Sequence, residues 1–438
     1  MKKYFYSTLR RYLSLFILDT NSVVEIDPAN SELAATLPNG HLCFRSDVPA
    51  WSKGASVKTV EQVRSSSNDF ILVSGLVHYE RDIQKLLAEV RTLCQSDTRL
   101  ILTYYSSLWK PLASLASRFG WRSKVAETNW LAHEDVKNLL ELENFELVRA
   151  DQKILVPLYV PLFGELANRF IAPLPFFRNF CLLNIAVARP KATSPMDDQP
   201  SVTVVVPARN EAGNIENILR RMPRMGPNDE IIFIEGNSTD NTWETIQRVA
   251  KSYGGPHRIQ IAQQDGKGKG DAVRKGFAMA RNEILMILDA DITVPPEDLP
   301  KFYRAIIEDK GEFINGSRLV YPMEKRAMRF FNLLGNKFFA LAFSFVLSQR
   351  YKDTLCGTKV LTKANYLKLA SNRSYFGDFD PFGDFDLIFG AARMGLKIIE
   401  VPISYRERVY GDTNISRWRH GAILLAMLLF AARKIKFL

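Results

Sequence analysis

Two aspartates that could hold a divalent cation, Asp289 and Asp291, directly follow the apolar stretch 284–288 in this chain of 438 residues. In an extended segment, side chains two positions apart point the same way, so both carboxylates would face one ligand. Mg²⁺ and Mn²⁺ favour such oxygen ligands and usually share them with substrate phosphates. Because a lone Asp-x-Asp pattern recurs by chance, this pair carries weight only together with its surroundings.

Three further polar clusters follow apolar stretches in the same half of the chain, at 207–211, 235–240 and 266–271. In the second cluster, Glu235 ends its apolar stretch, where a carboxylate suits a base edge or a ribose hydroxyl. In the third, glycines let the backbone approach a ligand closely and lysines can face phosphate. It is not a P-loop, since G-x-x-x-x-G-K-[ST] is absent.

The elements that must position these clusters are readable from hydrophobic periodicity. Nearly continuous apolar strands alternate with segments of helical spacing, and the strands are predicted at 202–206, 230–235, 258–262 and 284–288. This alternation predicts an α/β fold with a mostly parallel sheet covered on both faces. Ligands of such sheets bind beyond the carboxyl ends of the strands. We therefore expect the four polar clusters to meet at one edge.

A linker divides the chain. Residues 190–200 are polar, contain three prolines and show no periodicity. Before them, a weaker α/β pattern predicts strands at 23–26, 70–73 and 100–104 and an amphipathic helix at 83–93. We predict one domain at 1–189 and a second at 201–438.

Composition limits the partners and the compartment. The net charge of +11 indicates an anionic partner, but nucleic acid, an acidic membrane face and nucleotide diphosphates all qualify. The four cysteines include no C-x-x-C, which fits a reducing compartment and excludes a zinc-finger spacing. The five histidines are scattered too, so a surface or core role is expected for each.

Membrane contact is expected to be peripheral. Arg10 and Arg11 interrupt the first apolar run, so we predict no signal peptide. No apolar stretch reaches the roughly 18 to 20 residues that span a bilayer. The apolar segments near 328–347 and 421–436 are flanked by cationic residues, which predicts interfacial helices on anionic lipid. The alternative is that both are ordinary core helices.

Eight motifs follow the linker in a fixed order. They read VVVPARNE at 204–211, EGNSTDNT at 235–242, GKGDAVRKG at 268–276, DAD at 289–291, NGSR at 315–318, DTLCGTK at 353–359, EVPI at 400–403 and RVYGDT at 408–413. This ordered set resembles the family-two glycosyltransferases with the GT-A fold, and its dolichol-phosphate mannosyltransferase branch in particular. The resemblance covers nearly all of the chain after the linker. It implies an inverting, metal-dependent transfer of a sugar from a nucleotide-diphosphate sugar to polyprenyl phosphate or a related lipid.

The resemblance also implies roles for single residues. Asp289 and Asp291 would bind Mg²⁺ or Mn²⁺, and Arg318 and Arg408 would face the diphosphate or an acceptor phosphate. The nucleotide would contact Pro207, Ala208, Asn210, Glu211, Glu235, Ser238, Asp240, Lys269, Ala272 and Asp289.

Two aspartates before the EVPI motif, Asp384 and Asp386, are candidate bases. A hydroxyl acceptor would need such a base, whereas an anionic lipid phosphate needs positioning more than deprotonation. The alternative for both aspartates is a structural ion pair with Arg393 or Arg406.

Two positions depart from the branch pattern. Thr293 stands where a Gln metal ligand is common, and Asn414 stands where a Lys is common. These departures leave the donor and the acceptor open.

The N-terminal half resembles class I S-adenosylmethionine-dependent methyltransferases. Residues 69–78 look like the fourth strand of that fold and residues 100–109 like the fifth strand and its loop. However, the glycine-rich cofactor turn is replaced by VEIDPANS at 24–31, which has no glycine. We predict a degenerate domain that does not bind S-adenosylmethionine and that stabilises or docks the transferase. His78 and Tyr104 are then packing residues.

The leading interpretation is a hexosyltransferase in the cytoplasm, peripheral on the inner face of the membrane, with no nucleic-acid partner. Three alternatives stay open: a polysaccharide transferase acting on a sugar hydroxyl, a bifunctional methyltransferase-glycosyltransferase, and a nonenzymatic membrane scaffold. The sequence does not distinguish GDP-mannose from a UDP-sugar, and it gives neither the acceptor nor the oligomeric state.

Overall fold

The chain forms two compact units, Met1–Ala192 together with Arg433–Leu438, and Thr193–Ala432. The computed structural model describes residues 2–29, 33, 36–37, 39–52, 55–120, 129–192, 199–321, 330–373, 385–406, 410 and 417–437. In this part of the chain each unit contains a seven-stranded sheet and helices. The predicted α/β class is therefore confirmed for both halves. The last six residues belong to the first unit, which differs from the predicted range 201–438.

The first sheet has the strand order β3-β2-β1-β4-β5-β7-β6. Its strands are β1 (Val23–Ile26), β2 (Gly40–Cys43), β3 (Val57–Lys58), β4 (Phe70–Ser74), β5 (Arg99–Tyr105), β6 (Phe145–Lys153) and β7 (Leu183–Pro190). All pairings are parallel except those of β7, which is antiparallel to β5 and β6. The three strands predicted from sequence correspond to β1, β4 and β5, because their buried apolar runs are continuous.

Six helices of the described part accompany this sheet. They are α1 (Lys2–Leu13), α2 (Val60–Ser65), α3 (Ile83–Leu93), α4 (Lys110–Arg118), α5 (His133–Leu142) and α6 (Phe163–Leu166). The predicted helix at 83–93 is α3, which buries Leu86, Leu87, Val90 and Leu93 on one face.

An ion-pair network lies at the carboxyl end of β1. Asp27 has a φ of 42°. The Arg45 guanidinium pairs with Asp27, with Glu80 at 2.7 Å and with Glu89 at 2.9 Å. Asp27, within the segment 24–31 that stands in place of the expected glycine turn, is thus held in an ion pair.

His78 and Tyr104 lie in the interior of the first unit. His78 Nδ1 is 2.7 Å from the Asn129 carbonyl, and His78 Nε2 accepts the Tyr105 N–H at 2.8 Å. The Tyr104 hydroxyl is 3.0 Å from His133 Nδ1. Both side chains are buried, which suits the packing role predicted for them.

A buried charge cluster holds the C-terminal segment in the first unit. Arg149 Nε donates to Asp151 Oδ2 at 2.5 Å, and Lys436 Nζ lies 3.7 Å from Asp151 Oδ1. Burial works against ionisation of Asp151, but Arg149 and Lys436 outweigh it and hold the pKa of this carboxyl below its usual range. Burial also lowers the pKa of the neighbouring Lys153 to about 8.

The second sheet has the order β10-β9-β8-β11-β13-β12-β14. Its strands are β8 (Val202–Ala208), β9 (Glu230–Glu235), β10 (Arg258–Gln263), β11 (Ile284–Ile287), β12 (Phe313–Ser317), β13 (Lys359–Thr362) and β14 (Ile398–Pro402). Only β13 runs against its neighbours β11 and β12 among these strands. The sheet is therefore mostly parallel, as predicted.

The helices described in the second unit are α7 (Ile215–Arg221), α8 (Thr242–Ser252), α9 (Gly268–Met279), α10 (Leu299–Ile307), α11 (Phe330–Leu347), α12 (Lys363–Ser371), α13 (Phe385–Arg393) and α14 (Arg417–Ala431). Helix α9 lies close to the sheet because Gly276 has no side chain. A Cβ there would be 2.4 Å from Val205 Cγ1.

The two strongly apolar helices, α11 and α14, pack against each other. Phe343 and Met427 are buried, whereas large apolar side chains remain exposed on both helices at Leu334, Phe338, Leu341, Leu425 and Leu429. Among the helices that the structure describes, none combines the length and apolar character needed to cross a bilayer.

Candidate functional site

The loop after β8 is hydrogen-bonded to the loop after β9. Asn210, at a φ of 56°, turns the chain after β8. Its side-chain oxygen accepts the Thr239 N–H at 2.8 Å, and its own N–H donates to Ser238 Oγ at 3.0 Å. Two of the polar clusters predicted from sequence are thereby joined.

Glu211 and Asp240 support the helices that follow these loops. Glu211 is buried and accepts from Asn214 Nδ2 at 2.7 Å, while its N–H donates to Thr242 Oγ1 at 2.9 Å. Asp240 accepts the Thr242 N–H at 3.0 Å, at the start of α8. The two carboxylates predicted to contact the nucleotide therefore also accept hydrogen bonds within the protein.

The carboxylate of Glu235 closes the turn at the end of β9. It accepts the Ser238 N–H at 2.5 Å and Gln263 Nε2 at 3.1 Å. Pro207 and Ala208 lie beside it in the ladder, opposite Ile234 and Glu235. The structure therefore brings these three predicted nucleotide-binding positions together.

The glycine-rich turn after β10 is tied to the loop after β9. Asn237 Nδ2 donates to the Gly266 carbonyl at 3.3 Å, and the Gly266 N–H donates to Asp271 Oδ2 at 2.8 Å. Helix α9 begins at Gly268, whose φ of 82° favours glycine. Ala272 is buried in this helix, and the N-terminal end of α9 is electrostatically suited to an anion.

Lys269 and Asp289 form an ion pair that joins α9 to the loop after β11. Lys269 Nζ lies 2.6 Å from Asp289 Oδ1, and both side chains remain partly exposed. Gly357 lies directly against this pair. A Cβ at this position would be 2.0 Å from Asp289 Oδ2 and 2.4 Å from Lys269 Nζ.

Asp291 lies in a turn, so the expectation of an extended Asp-x-Asp segment was wrong. The chain turns at Ala290 and Asp291, and Ile292 has a φ of 54°. Asp291 Oδ1 accepts from the Thr293 N–H at 3.1 Å and from Thr293 Oγ1 at 2.8 Å. Thr293, at the position of the expected Gln, therefore orients this carboxylate.

Asp289 and Asp291 stay the two carboxylates predicted to hold a divalent cation together with a substrate. No group of three or more His, Cys, Asp or Glu side chains suited to a metal occurs in the described part of the chain. Mg²⁺ sites commonly use one or two carboxylates plus substrate phosphates, so two aspartates suffice. A side chain at position 357 would crowd Asp289, so Gly357 lets the loop before β13 approach this carboxylate closely.

Residues 203–362 match the family model described as "Glycosyl transferase family 2". The second unit contains a family 2 glycosyltransferase domain. The resemblance inferred from the ordered motifs is thus confirmed for this segment.

Similar curated proteins align with about half of this chain. Glycosyltransferase AglJ of Haloferax volcanii is 28% identical over 53% of this chain and 72% of its own length. The dolichol-phosphate mannosyltransferase of Pyrococcus furiosus is 28% identical over 49% of this chain and 59% of its own length. The dolichyl-phosphate beta-glucosyltransferase of Saccharomyces cerevisiae is 28% identical over 48% of this chain and 68% of its own length.

Arg318 of the glycosyltransferase domain forms a buried bidentate ion pair with Asp353. The two bonds measure 2.6 Å and 2.8 Å, and the Arg318 N–H donates to the same carboxylate at 3.1 Å. Asn336 Nδ2 adds a bond of 3.0 Å to Asp353. Burial opposes ionisation of Asp353, but Arg318 outweighs it and keeps the pKa of Asp353 below its usual value.

The Arg318 guanidinium also stacks on Tyr405, with 5.0 Å between the guanidinium carbon and the ring centroid. Burial raises the pKa of the Tyr405 hydroxyl; the Arg318 guanidinium opposes this effect and the charge of Asp291 adds to it. Tyr405 therefore contacts Arg318 and lies within electrostatic reach of Asp291. The predicted contact of Arg318 with a phosphate stays a prediction.

Asp353→Asn is expected to destabilise the glycosyltransferase domain by about 3–5 kcal/mol, because it leaves the buried Arg318 charge uncompensated. Urea unfolding of the full chain measures this loss. The control is Glu297→Gln, which removes the more exposed Arg221–Glu297 pair and is expected to cost about 0–1 kcal/mol. Equal losses in the two variants would contradict the structural role of the buried pair.

The remaining predicted site residues fall into two groups. Asp384 and Arg408, with Asn414, lie outside the described residues. Asp386 lies in the first turn of α13 and forms an ion pair with Arg373 at 2.9 Å, a partner that the sequence did not indicate.

The last motif of the domain reaches its first loops through Tyr410. The Tyr410 hydroxyl donates to Asp240 Oδ2 at 3.4 Å. Its ring covers Gly213, where a Cβ would be 2.5 Å from Tyr410 Cδ2. Tyr410 and Gly357 are two site residues to which sequence reasoning assigned no role.

Proposed function

We propose that the glycosyltransferase domain transfers a sugar, with inversion, from a nucleotide-diphosphate sugar to polyprenyl phosphate. The observation that carries the proposal is the continuous chain of contacts from Asn210 through Gly266 and Lys269 to Asp289. These contacts bring the loops after β8, β9, β10 and β11 together at one sheet edge, which supports a nucleoside pocket and a metal site there. The names of the Pyrococcus and Saccharomyces relatives, which specify dolichol or dolichyl phosphate, support the acceptor class.

Each residue of this edge has a role in the proposal. Asp289 and Asp291 would hold Mg²⁺ or Mn²⁺, which would supply positive charge against the departing nucleoside diphosphate. Lys269, now paired with Asp289, turns toward the diphosphate when that ligand brings two further negative charges. The two hydrogen bonds from Thr293 orient the Asp291 carboxylate for the proposed metal site. Arg408 is proposed to face the acceptor phosphate.

A lipid phosphate is favoured over a sugar hydroxyl as the acceptor. A hydroxyl acceptor needs a base, and of the two candidate aspartates the described one, Asp386, is paired with Arg373 at 2.9 Å. A phosphate monoester is anionic near neutral pH and requires only positioning. The exposed apolar side chains of α11 and α14 suit contact with the membrane that holds such a lipid, so we place the domain at the cytoplasmic face.

The first unit is proposed to be a degenerate methyltransferase-like domain that does not bind S-adenosylmethionine. The segments predicted as the fourth and fifth strands of that fold are β4 and β5 of its sheet. The Arg45 network at the end of β1 supports the absence of the cofactor.

Vesicles containing polyprenyl phosphate test the proposed transfer. They are incubated with the full chain, Mn²⁺ and labelled GDP-mannose, UDP-glucose or UDP-N-acetylglucosamine in parallel. An acid-labile labelled lipid is the expected product with one donor. Label in a polysaccharide fraction without any lipid product would contradict the lipid acceptor and favour the hydroxyl alternative.

A further inference from the structure

The connection between β6 and β7 of the first unit, residues 154–182, is far longer than its strands require. Antiparallel neighbours can be joined by a two-residue hairpin. Here the connection contains α6, a π-helical turn at Ala167–Ile171 and a 3₁₀ turn at Phe177–Phe180. Most connections in compact domains are about 4–6 residues long, so this one adds a substructure beyond what joining the strands requires.

The inner side of the connection is firmly attached to the unit. Asn168 is buried, and its side chain bonds both the N–H and the carbonyl of Val156 at 2.8 Å. It also donates to the Tyr4 hydroxyl at 3.1 Å, and the Tyr12 hydroxyl donates to the Asn168 carbonyl at 3.2 Å. Helix α1 thus holds the connection in one arrangement, which fixes the direction of its outer side chains.

The outer side of the connection is apolar. Leu162 is 81% exposed, Tyr159 69% and Phe176 68%. Other large apolar side chains exposed along the same stretch are Leu158, Phe163, Leu166, Phe170, Phe177 and Phe180. Single exposed apolar residues are normal on soluble proteins, but a run of this kind marks a binding surface.

Helix α4 extends this exposed apolar side. Leu108, Leu112, Leu115 and Phe119 recur at helical spacing and are all exposed, and α4 buries none of its residues. Trp109 Nε1 donates to the Phe180 carbonyl at 2.9 Å, which joins the start of the helix to the end of the connection. We call residues 108–119 and 158–180 together the apolar surface of the first unit.

The charges on this surface are almost all positive. Lys110, Arg118 and Arg178 are exposed. Glu165 is the only acidic residue within 108–119 and 158–180, and Arg11 lies 3.2 Å from it. Cationic and aromatic side chains around an apolar centre match the headgroup region of anionic lipid, where cations meet phosphates and rings meet acyl chains.

We propose that the apolar surface of the first unit binds the interface of an anionic phospholipid bilayer. This binding goes beyond the proposed sugar transfer and does not depend on it. It gives the first unit a function that requires no cofactor: holding the chain at a membrane.

Vesicle flotation of the full chain tests this proposal. Wild type is expected to float with phosphatidylcholine–phosphatidylglycerol vesicles, less with phosphatidylcholine alone, and less at high salt. Leu162→Ser/Phe176→Ser is expected to weaken the binding at least about tenfold, because partitioning follows the apolar area buried. The matched control is Val48→Ser/Leu142→Ser, which changes two exposed apolar residues on other elements and is expected to float like wild type.

Three outcomes would overturn the proposal. One is that wild type does not bind anionic vesicles; another is that the two double variants float equally, which would move membrane contact to another surface such as α11 and α14. The third is that light scattering finds wild type as a dimer and Leu162→Ser/Phe176→Ser as a monomer, while wild type does not bind vesicles. A second copy of the chain would then cover the surface. Sugar transfer assayed in detergent is expected to be equal in all variants, so failure of the proposed transfer is a separate result.

Discussion

Asp291→Asn is expected to lower sugar transfer about a thousandfold while leaving the fold intact. A metal held as proposed would contribute several kcal/mol to stabilising the leaving diphosphate, and each 1.4 kcal/mol corresponds to about tenfold in rate. Asparagine preserves the shape of the side chain and keeps an oxygen for the two bonds from Thr293. The turn therefore remains, and the lost charge is the main change. The measurement is the initial rate of labelled lipid formation at saturating Mn²⁺.

Binding measurements separate a metal defect from a general one. Calorimetry with Mn²⁺ and a nucleoside diphosphate is expected to show weakened joint binding in Asp291→Asn, with an unfolding midpoint close to that of wild type. Glu216→Gln is the matched control, since this carboxylate lies on α7 with its side chain 74% exposed. Transfer by Asp291→Asn within about threefold of wild type, less than 1 kcal/mol, would show that Asp291 is not a metal ligand.

The meeting of the four polar clusters could be predicted because it follows from a topological rule. Continuous apolar strands indicated a parallel sheet, and the residues after parallel strands lie at one edge. Hydrogen bonds of Asn210 and Asn237 connect the first three clusters, and the Lys269–Asp289 ion pair connects the fourth. The same logic located β1, β4 and β5 in the first unit.

The geometry within the site could not be predicted, because it depends on backbone conformations and distant partners. A β-branched residue such as Ile292 rarely adopts a positive φ, so nothing in the sequence indicated the turn at Asp291. The ion pair of Arg318 with Asp353 joins residues 35 positions apart. The ion pair of Asp386 with Arg373 likewise depends on how α12 and α13 meet.

The position of Gly357 beside Asp289 could be explained only from the direction in which β13 runs. This strand runs antiparallel between β11 and β12, with Val360 opposite Met286 and Lys359 opposite Asn315. Its first residues therefore lie at the edge where the parallel strands end. That reversal brings Gly357 against Asp289, 68 residues earlier in the chain.

Gly357→Ala is expected to lower sugar transfer about a hundredfold without changing any charge. The new Cβ would lie 2.0 Å from Asp289 Oδ2 and 2.4 Å from Lys269 Nζ. The long Lys269 side chain can withdraw, but the short Asp289 side chain cannot do so without leaving its position. A displacement of about 1 Å of a group at the reacting centre can cost about 10²-fold.

Gly254→Ala is the matched control for this variant, since a Cβ at Gly254 meets nothing within 4 Å. It is expected to transfer sugar at the wild-type rate. The Gly357→Ala variant should also require more Mn²⁺ for half-maximal transfer, because Asp289 no longer holds its position. A reduced rate with an unchanged Mn²⁺ requirement would assign Gly357 to packing alone. A wild-type rate would mean that the loop before β13 can move away from Asp289, and that the close approach is not needed for transfer.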